Sequence, residues 1–447
     1  MRWGTNLNGD FNKNKIKSTI CIGFITCIIF SLFAASPAFA ATADDWPMFR
    51  HDLTHTGYST STPTPTTVTL LWNFTTNSVV WASPALVDGY LYIGSDGGIA
   101  YCLNASDGTK IWNYTIPVRN QGRPGVAGPA IGSSMAVTDG YVYFGCYDSN
   151  VYCLNASTGE KVWNFTTGNS VESNPSVVDG RVYVGSWDNN MYCFDAVTGA
   201  KIWNYTTGSL IESSPAVVNG KVYFGSVDSN VYCLDALTGT KVWSYQTGNV
   251  VQSSPAVVGD YVYIGSEDNN VYCLSATSGD KIWNYTTQGW IDSSPAVSNG
   301  YLYVGSWDGD NNVYCFSAST GAKIWNYTAY SGVNSSPAVV EGYVYVGGWD
   351  GYVYCLNAST GANIWNYKTD AHVNSSPAVV DGVVYVGSWD HNVYAFGVQT
   401  SAGTPSPAPS ASVPEFSGQF VAVLAVSAIA VSLAAVVWVR RRAAKRV

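Results

Sequence analysis

One tryptophan-centred run recurs along most of the chain. Trp72, Trp112, Trp163, Trp203, Trp243, Trp283, Trp325 and Trp365 each sit in a WNY-like context, with gaps of 40, 51, 40, 40, 40, 42 and 40 residues. A near-constant period of this length means an array of one small unit, which can bury its apolar face only against neighbouring copies. A typical copy is SSPAVVNGKVYFGSVDSNVYCLDALTGTKVWSYQ, residues 213–246. It holds four β-rich runs separated by Asn, Asp, Gly and Ser turns, with no helical period. The two middle runs are apolar at nearly every position, so both faces of those strands need covering. A radial stack of four-stranded antiparallel sheets supplies that cover and pushes charge out to loops and edges. The composition agrees, with 47% apolar and only 11% charged residues.

The phase of the repeat separates a ring from an open solenoid. The first complete unit opens at Ser83, and the eighth, beginning at Ser375, stops after its third strand. TLLWNFTT, Thr69 to Thr76, is a fourth strand with no unit before it. One strand missing at one end and one spare at the other predict closure. The expected fold is therefore all-β: an eight-bladed β-propeller of four-stranded antiparallel blades over residues 69–400, closed by strand 69–76 in blade eight.

The flanking segments point to a membrane. Basic KNKIK, the apolar run TICIGFITCIIFSLFAA and the small-x-small exit Ala38, Phe39, Ala40 predict a signal peptide over residues 1–40. A leader, 41–68, follows it. After the repeats come a Ser/Pro linker, 401–419, an uncharged apolar stretch, 420–439, and a basic tail, 440–447. The apolar stretch is long enough to cross a bilayer as a transmembrane helix. The basic tail places the propeller outside under the positive-inside rule, so the expectation is an exported, membrane-anchored cell-surface protein. The net charge of −9 and the scarcity of arginine between Thr69 and Thr400 (Arg119, Arg123 and Arg181) exclude a phosphate-tracking nucleic-acid surface.

The unit SSPAVVDGxVYVGSxDxNVYCLNASTGxKIWNY resembles the repeat of the quinoprotein alcohol dehydrogenase type of eight-bladed propeller. That repeat is shared by pyrroloquinoline quinone (PQQ) enzymes and by the propeller lipoprotein of the bacterial outer-membrane assembly machinery. DWPMFRHDLTHTGYS, Asp45 to Ser59, is similar to the leader preceding blade one in that family. The resemblance implies the fold and leaves the activity open, because one ring hosts enzymes and binding scaffolds alike. Its enzyme branch implies PQQ with calcium, an adjacent Cys-Cys ring, calcium-binding carboxylates and long loops. This chain has no Cys-Cys dipeptide and mostly minimal loops. The segment around Pro414, Glu415 and Phe416 resembles the PEF-CTERM sorting signal of archaeal surface proteins, recognised by a sortase-like transpeptidase.

Cys102, Cys153, Cys193, Cys233, Cys273, Cys315 and Cys355 share one repeat position, and equivalent atoms in separate blades lie too far apart to bridge. They read as small buried apolar residues, and Cys146 as a free thiol. HDLTH, with His51 and His55, has the spacing of a zinc pair but no supporting helix or Glu, so leader packing is expected. DGDNN, Asp308 to Asn312, reads as a lengthened hairpin rather than a calcium loop. Of eleven Asn-x-Ser/Thr sequons, those in the turn between strands three and four, Asn104, Asn155 and Asn357, are the credible glycan sites.

In a ring of near-identical units, function is expected where the copies differ. Alternating strand direction puts the loop before strand one and the loop between strands two and three on one face, the top. There lie the rim acids Glu172, Glu212 and Asp292, the loop tryptophans Trp187, Trp307, Trp349 and Trp389, and an insertion carrying Arg119 and Arg123. Aromatic planes beside carboxylates and amides suit sugars or cation-bearing peptides. The reading is a binding or scaffold module for an envelope protein or surface glycan, with no catalytic residue, metal or cofactor. The alternative is a PQQ- and calcium-dependent dehydrogenase.

Overall fold

The computed structural model describes residues 45–63, 67–117 and 129–398. The expected signal peptide, Arg119 and Arg123, the expected linker and PEF segment and the stretch 420–439 lie outside them. Among the described residues, no helix is long and apolar enough to cross a membrane. The repeats fold into eight sheets of four antiparallel strands, one of which gains a short fifth. In each blade the three-residue first strand is innermost and the fourth is outermost, as in Ala216–Val218, Lys221–Gly225, Asn230–Asp235 and Lys241–Gln246 of blade four.

Local chemistry sets the register. The first hairpin turns on two residues such as Asp88 and Gly89, both at positive φ (53° and 77°), the two-residue turn whose twist matches the strands. Second and third strands are buried along nearly their whole length. The fourth strand buries only its tryptophan fully, and a register shift in its pairing occurs at the Ile or Val between Lys and Trp. That bulge and the preceding lysine blunt the outer edge, which would otherwise offer unpaired backbone to another chain.

Neighbouring blades are clamped by the same tryptophan. Its indole N–H donates to an alanine carbonyl of the next blade, as in Trp203 to Ala236 (3.1 Å) and Trp243 to Ala276 (3.0 Å). The ring lies so close to the next blade's turn that a Cβ at Gly239 would stand 2.6 Å from the Trp203 ring, at a φ of 71°. Glycine is required there on both counts.

Closure is as the phase predicts. Thr69–Thr75 pairs antiparallel with Asn392–Gly397, and the Trp72 indole donates to the Ala105 carbonyl of blade one at 3.0 Å. A second circle runs around the channel. The backbone N–H of Ser83, Ser134, Asn174, Ser214, Ser254, Ser294, Ser336 and Ser376 each donates to the side-chain oxygen at the same position in the next blade, at 2.5–3.1 Å, and Ser376 returns to Ser83.

The leader threads the channel from the bottom. Its carbonyls at Trp46, Pro47, Leu53, Thr54, Thr56 and Gly57 accept from Leu86, Val137, Val217, Val257, Val297 and Val339, the central residues of six first strands. Inner strands present an unpaired edge, and the leader satisfies it. Tyr58–Ser59 continues as a parallel strand on blade seven. Arg50, only 2% exposed, reaches up the channel to the carbonyls of Pro295 (2.7 Å) and Pro337. Burial pulls its pKa down to about 9, against the opposing charge of Asp52. His51 and His55 pack edge-on against Trp46 and Phe49, as leader packing requires.

Candidate functional site

With the leader bonded to the inner edges of six blades, the residues that differ between blades lie at the top mouth of the channel. The hairpin between strands two and three builds it from two kinds of residue. Its Asp is scaffold: Asp188, Asp228, Asp268, Asp310, Asp350 and Asp390 each accept from a tyrosine hydroxyl four residues on, at 2.6–3.0 Å. In all six of these blades the same carboxylate also accepts the backbone N–H opening the connector from the preceding blade, as Asp188 does from Gly168 at 2.6 Å. DGDNN is indeed a lengthened hairpin, since Asp310 fills the same role.

The second residue after the strand-two glycine varies from blade to blade: Asp96, Tyr147, Trp187, Val227, Glu267, Trp307, Trp349 and Trp389. Trp307, Trp349 and Trp389 belong to consecutive blades, and the structure brings them together. Ring centroids are 5.3 Å apart for Trp307 and Trp349 and 6.0 Å for Trp349 and Trp389. His372 lies 5.2 Å from Trp349, nearly parallel to it, and edge-on to Trp389 at 5.0 Å. The arc extends to Trp290 at one end (5.6 Å from Trp307) and Trp81 at the other (4.3 Å from Trp389). Gly332 makes room for it, because a Cβ there would stand 2.7 Å from that of Trp307. Trp187 is not part of the arc; it pairs edge-on with Tyr147 on the other side of the ring (5.6 Å).

The rim position inside these hairpins reads Trp81, Gly132, Glu172, Glu212, Gln252, Asp292, Asn334 and Asn374 around the ring. The acids Glu172 and Glu212, with Glu267 on the hairpin of blade five, thus occupy a sector separate from the arc. Asp292 joins the two, its Oδ2 accepting the Trp307 indole N–H at 2.7 Å. Burial, reinforced by Glu267 and Asp308, lifts its pKa to about 7 even though the indole bond favours the charged form. Trp290, Trp81 and His372 escape a search for loop motifs because they sit in connectors. Ring order, which makes blade eight the neighbour of blade one, is the signal that finds them.

The eight described cysteines are free and buried. Burial pushes thiols such as Cys153 and Cys315 up to about 12, so they are packing groups rather than nucleophiles. No group of three His, Cys, Asp or Glu side chains converges among the described residues, and the cysteines stay within their sheets. Asn104, Asn155 and Asn357 fold their Oδ1 onto their own turns, as Asn155 does with the N–H of Ser157 (3.0 Å). The sequon asparagines of the fourth strands, such as Asn164 and Asn204, instead donate Nδ2 to a third-strand asparagine (3.0 and 2.9 Å).

Residues 64–143, 127–327, 286–353 and 309–404 match the PQQ-repeat family described as outer membrane protein assembly factor BamB. The chain belongs to this PQQ-repeat family. Within curated relatives, a quinohemoprotein alcohol dehydrogenase of Comamonas testosteroni is 29% identical over 135 residues, 29% of this chain and 19% of the relative. The match thus spans about a fifth of that enzyme's length. The solved BamB of Moraxella catarrhalis superposes with a TM-score of 0.64 at 21% identity, over 76% of this chain and all of that one. A europium-containing methanol dehydrogenase superposes with a TM-score of 0.70 at 15% identity, over 80% and 98% of the two chains. Both structural likenesses concern the PQQ-repeat ring itself.

Proposed function

We propose that this PQQ-repeat propeller is a binding module of the cell envelope that engages its partner through the top face and has no catalytic role. The observation behind this reading is the aromatic arc. Six rings gather on four consecutive blades at positions the repeat leaves free, while shared residues hold the scaffold. The relationship to an outer-membrane assembly factor supports an envelope setting, with the stretch 420–439 as the proposed anchor and the PEF segment as its sorting signal. A photo-reactive amino acid at position 349 should cross-link a partner in intact cells. The same probe at Leu237, an exposed turn residue on the opposite face, should not. Equal yields at both positions would refute the assignment of the face.

The identity to the Comamonas dehydrogenase supports a second reading, a PQQ- and calcium-dependent enzyme. Reconstitution with PQQ and calcium decides it: a quinone absorbance band with alcohol-dependent dye reduction would establish the enzyme, and no change would leave the binding module. The turn asparagines Asn104, Asn155 and Asn357 are proposed glycan acceptors, because a sugar there displaces no interstrand bond. Peptide mass mapping of protein from its native host should find added sugar at Asn155 and none at Asn164; the reverse pattern would refute this.

A further inference from the structure

We propose that the arc from Trp290 to Trp81 is a saccharide-binding site, a specific form of the top-face reading above, on which it rests. Three observations narrow the ligand. The rings follow one another in centroid steps of 5.6, 5.3, 6.0 and 4.3 Å from Trp290 through Trp307, Trp349 and Trp389 to Trp81, each comparable to one pyranose residue. Pyranose C–H faces are apolar and slightly positive, so they stack on the electron-rich faces of indoles. All five indoles are only partly buried.

The second observation concerns hydrogen bonding. Along the arc, Trp349 Nε1, Trp389 Nε1, Asp292 Oδ1 and Asn374 Oδ1 are buried without a hydrogen-bond partner. Such atoms are costly to leave unmatched. Two are donors and two are acceptors, and a sugar hydroxyl serves both, since it donates one bond and accepts others.

The third is charge. Of the carboxylates at the arc, Asp292, the one bonded to an indole, is held partly neutral and Asp308 stands near it, whereas Glu172, Glu212 and Glu267 belong to other blades. A basic peptide would be drawn to that acidic sector. A neutral oligosaccharide has no reason to leave the rings.

Calorimetric titration of the purified ectodomain with neutral hexasaccharides of glucose, mannose and N-acetylglucosamine tests this. At least one should bind, Trp349→Ala combined with Trp389→Ala should weaken it at least tenfold, and Trp187→Ala should leave it unchanged. Asn374→Ala, which removes an acceptor and no ring, should weaken it several-fold and guards against misfolding of the double variant. No binding by any hexasaccharide, or equal loss with Trp187→Ala, overturns the proposal. An octapeptide of alternating Arg and Gly that binds where the sugars do not would overturn it in favour of a cationic ligand. If sugars fail while position 349 still cross-links in cells, the saccharide class falls and the top-face reading stands; if both fail, both fall.

Discussion

Asp and Trp stand side by side in four hairpin tips, and in those of Trp187, Trp349 and Trp389 the structure gives the Asp a duty of its own. The Asp ties a tyrosine of its own blade and also the incoming connector, so it recurs for the fold's sake. Trp349 and Trp389 make no such bond, and their indole N–H groups are left for a ligand. Sequence alone shows both residues but not this division, which depends on which carboxylate oxygen meets which N–H. It also groups Trp187 with the other three by loop type, and only blade order separates it. Asp292 carries a pH consequence. Its folded pKa, about 7, lies above that of an unfolded aspartate, so between about pH 4 and 7 the folded chain binds the extra proton and stability falls as pH rises. Asp292→Asn should match the native protein near pH 4 and exceed it by about 1–3 kcal/mol near pH 8 in denaturant melts. An offset independent of pH would contradict this. Gly57, at a φ of 60°, would place a Cβ 2.1 Å from Arg50 Nη2. Gly57→Ala should therefore cost about 2–4 kcal/mol in the same assay.

At the scale of elements, the closing strand was legible and the leader's task was not. A strand betrays itself by alternation and by its place in the repeat; Thr69–Thr75 has both. The leader works mainly through its carbonyls, which carry no side-chain signature, so its sequence implies packing without showing that it serves six inner edges at once. Three of its residues, Arg50, His51 and His55, adopt positive φ, a conformation worth holding only if the surroundings repay it. Removing residues up to 61 should leave the ring closed but open its inner edge. Amide exchange at Leu86, Val137, Val217, Val257, Val297 and Val339 should accelerate by orders of magnitude while third-strand amides keep their protection. Unchanged exchange at those six positions would mean that the leader only rests in the channel.

Across the whole molecule, periodicity specifies a ring and departures from it specify a face. The ring was readable because seven of the eight blades repeat the clamp of tryptophan, alanine carbonyl and glycine. The arc was readable only in part, since adjacency of blades six, seven, eight and one follows from closure and not from any motif. The most direct test of this separation is to level the arc to the pattern of blade four, replacing Trp307, Trp349 and Trp389 with the valine found at Val227. The account predicts a melting temperature within a few degrees of the native protein together with loss of top-face capture. Capture that survives in the levelled protein, or a ring that no longer folds, would contradict it.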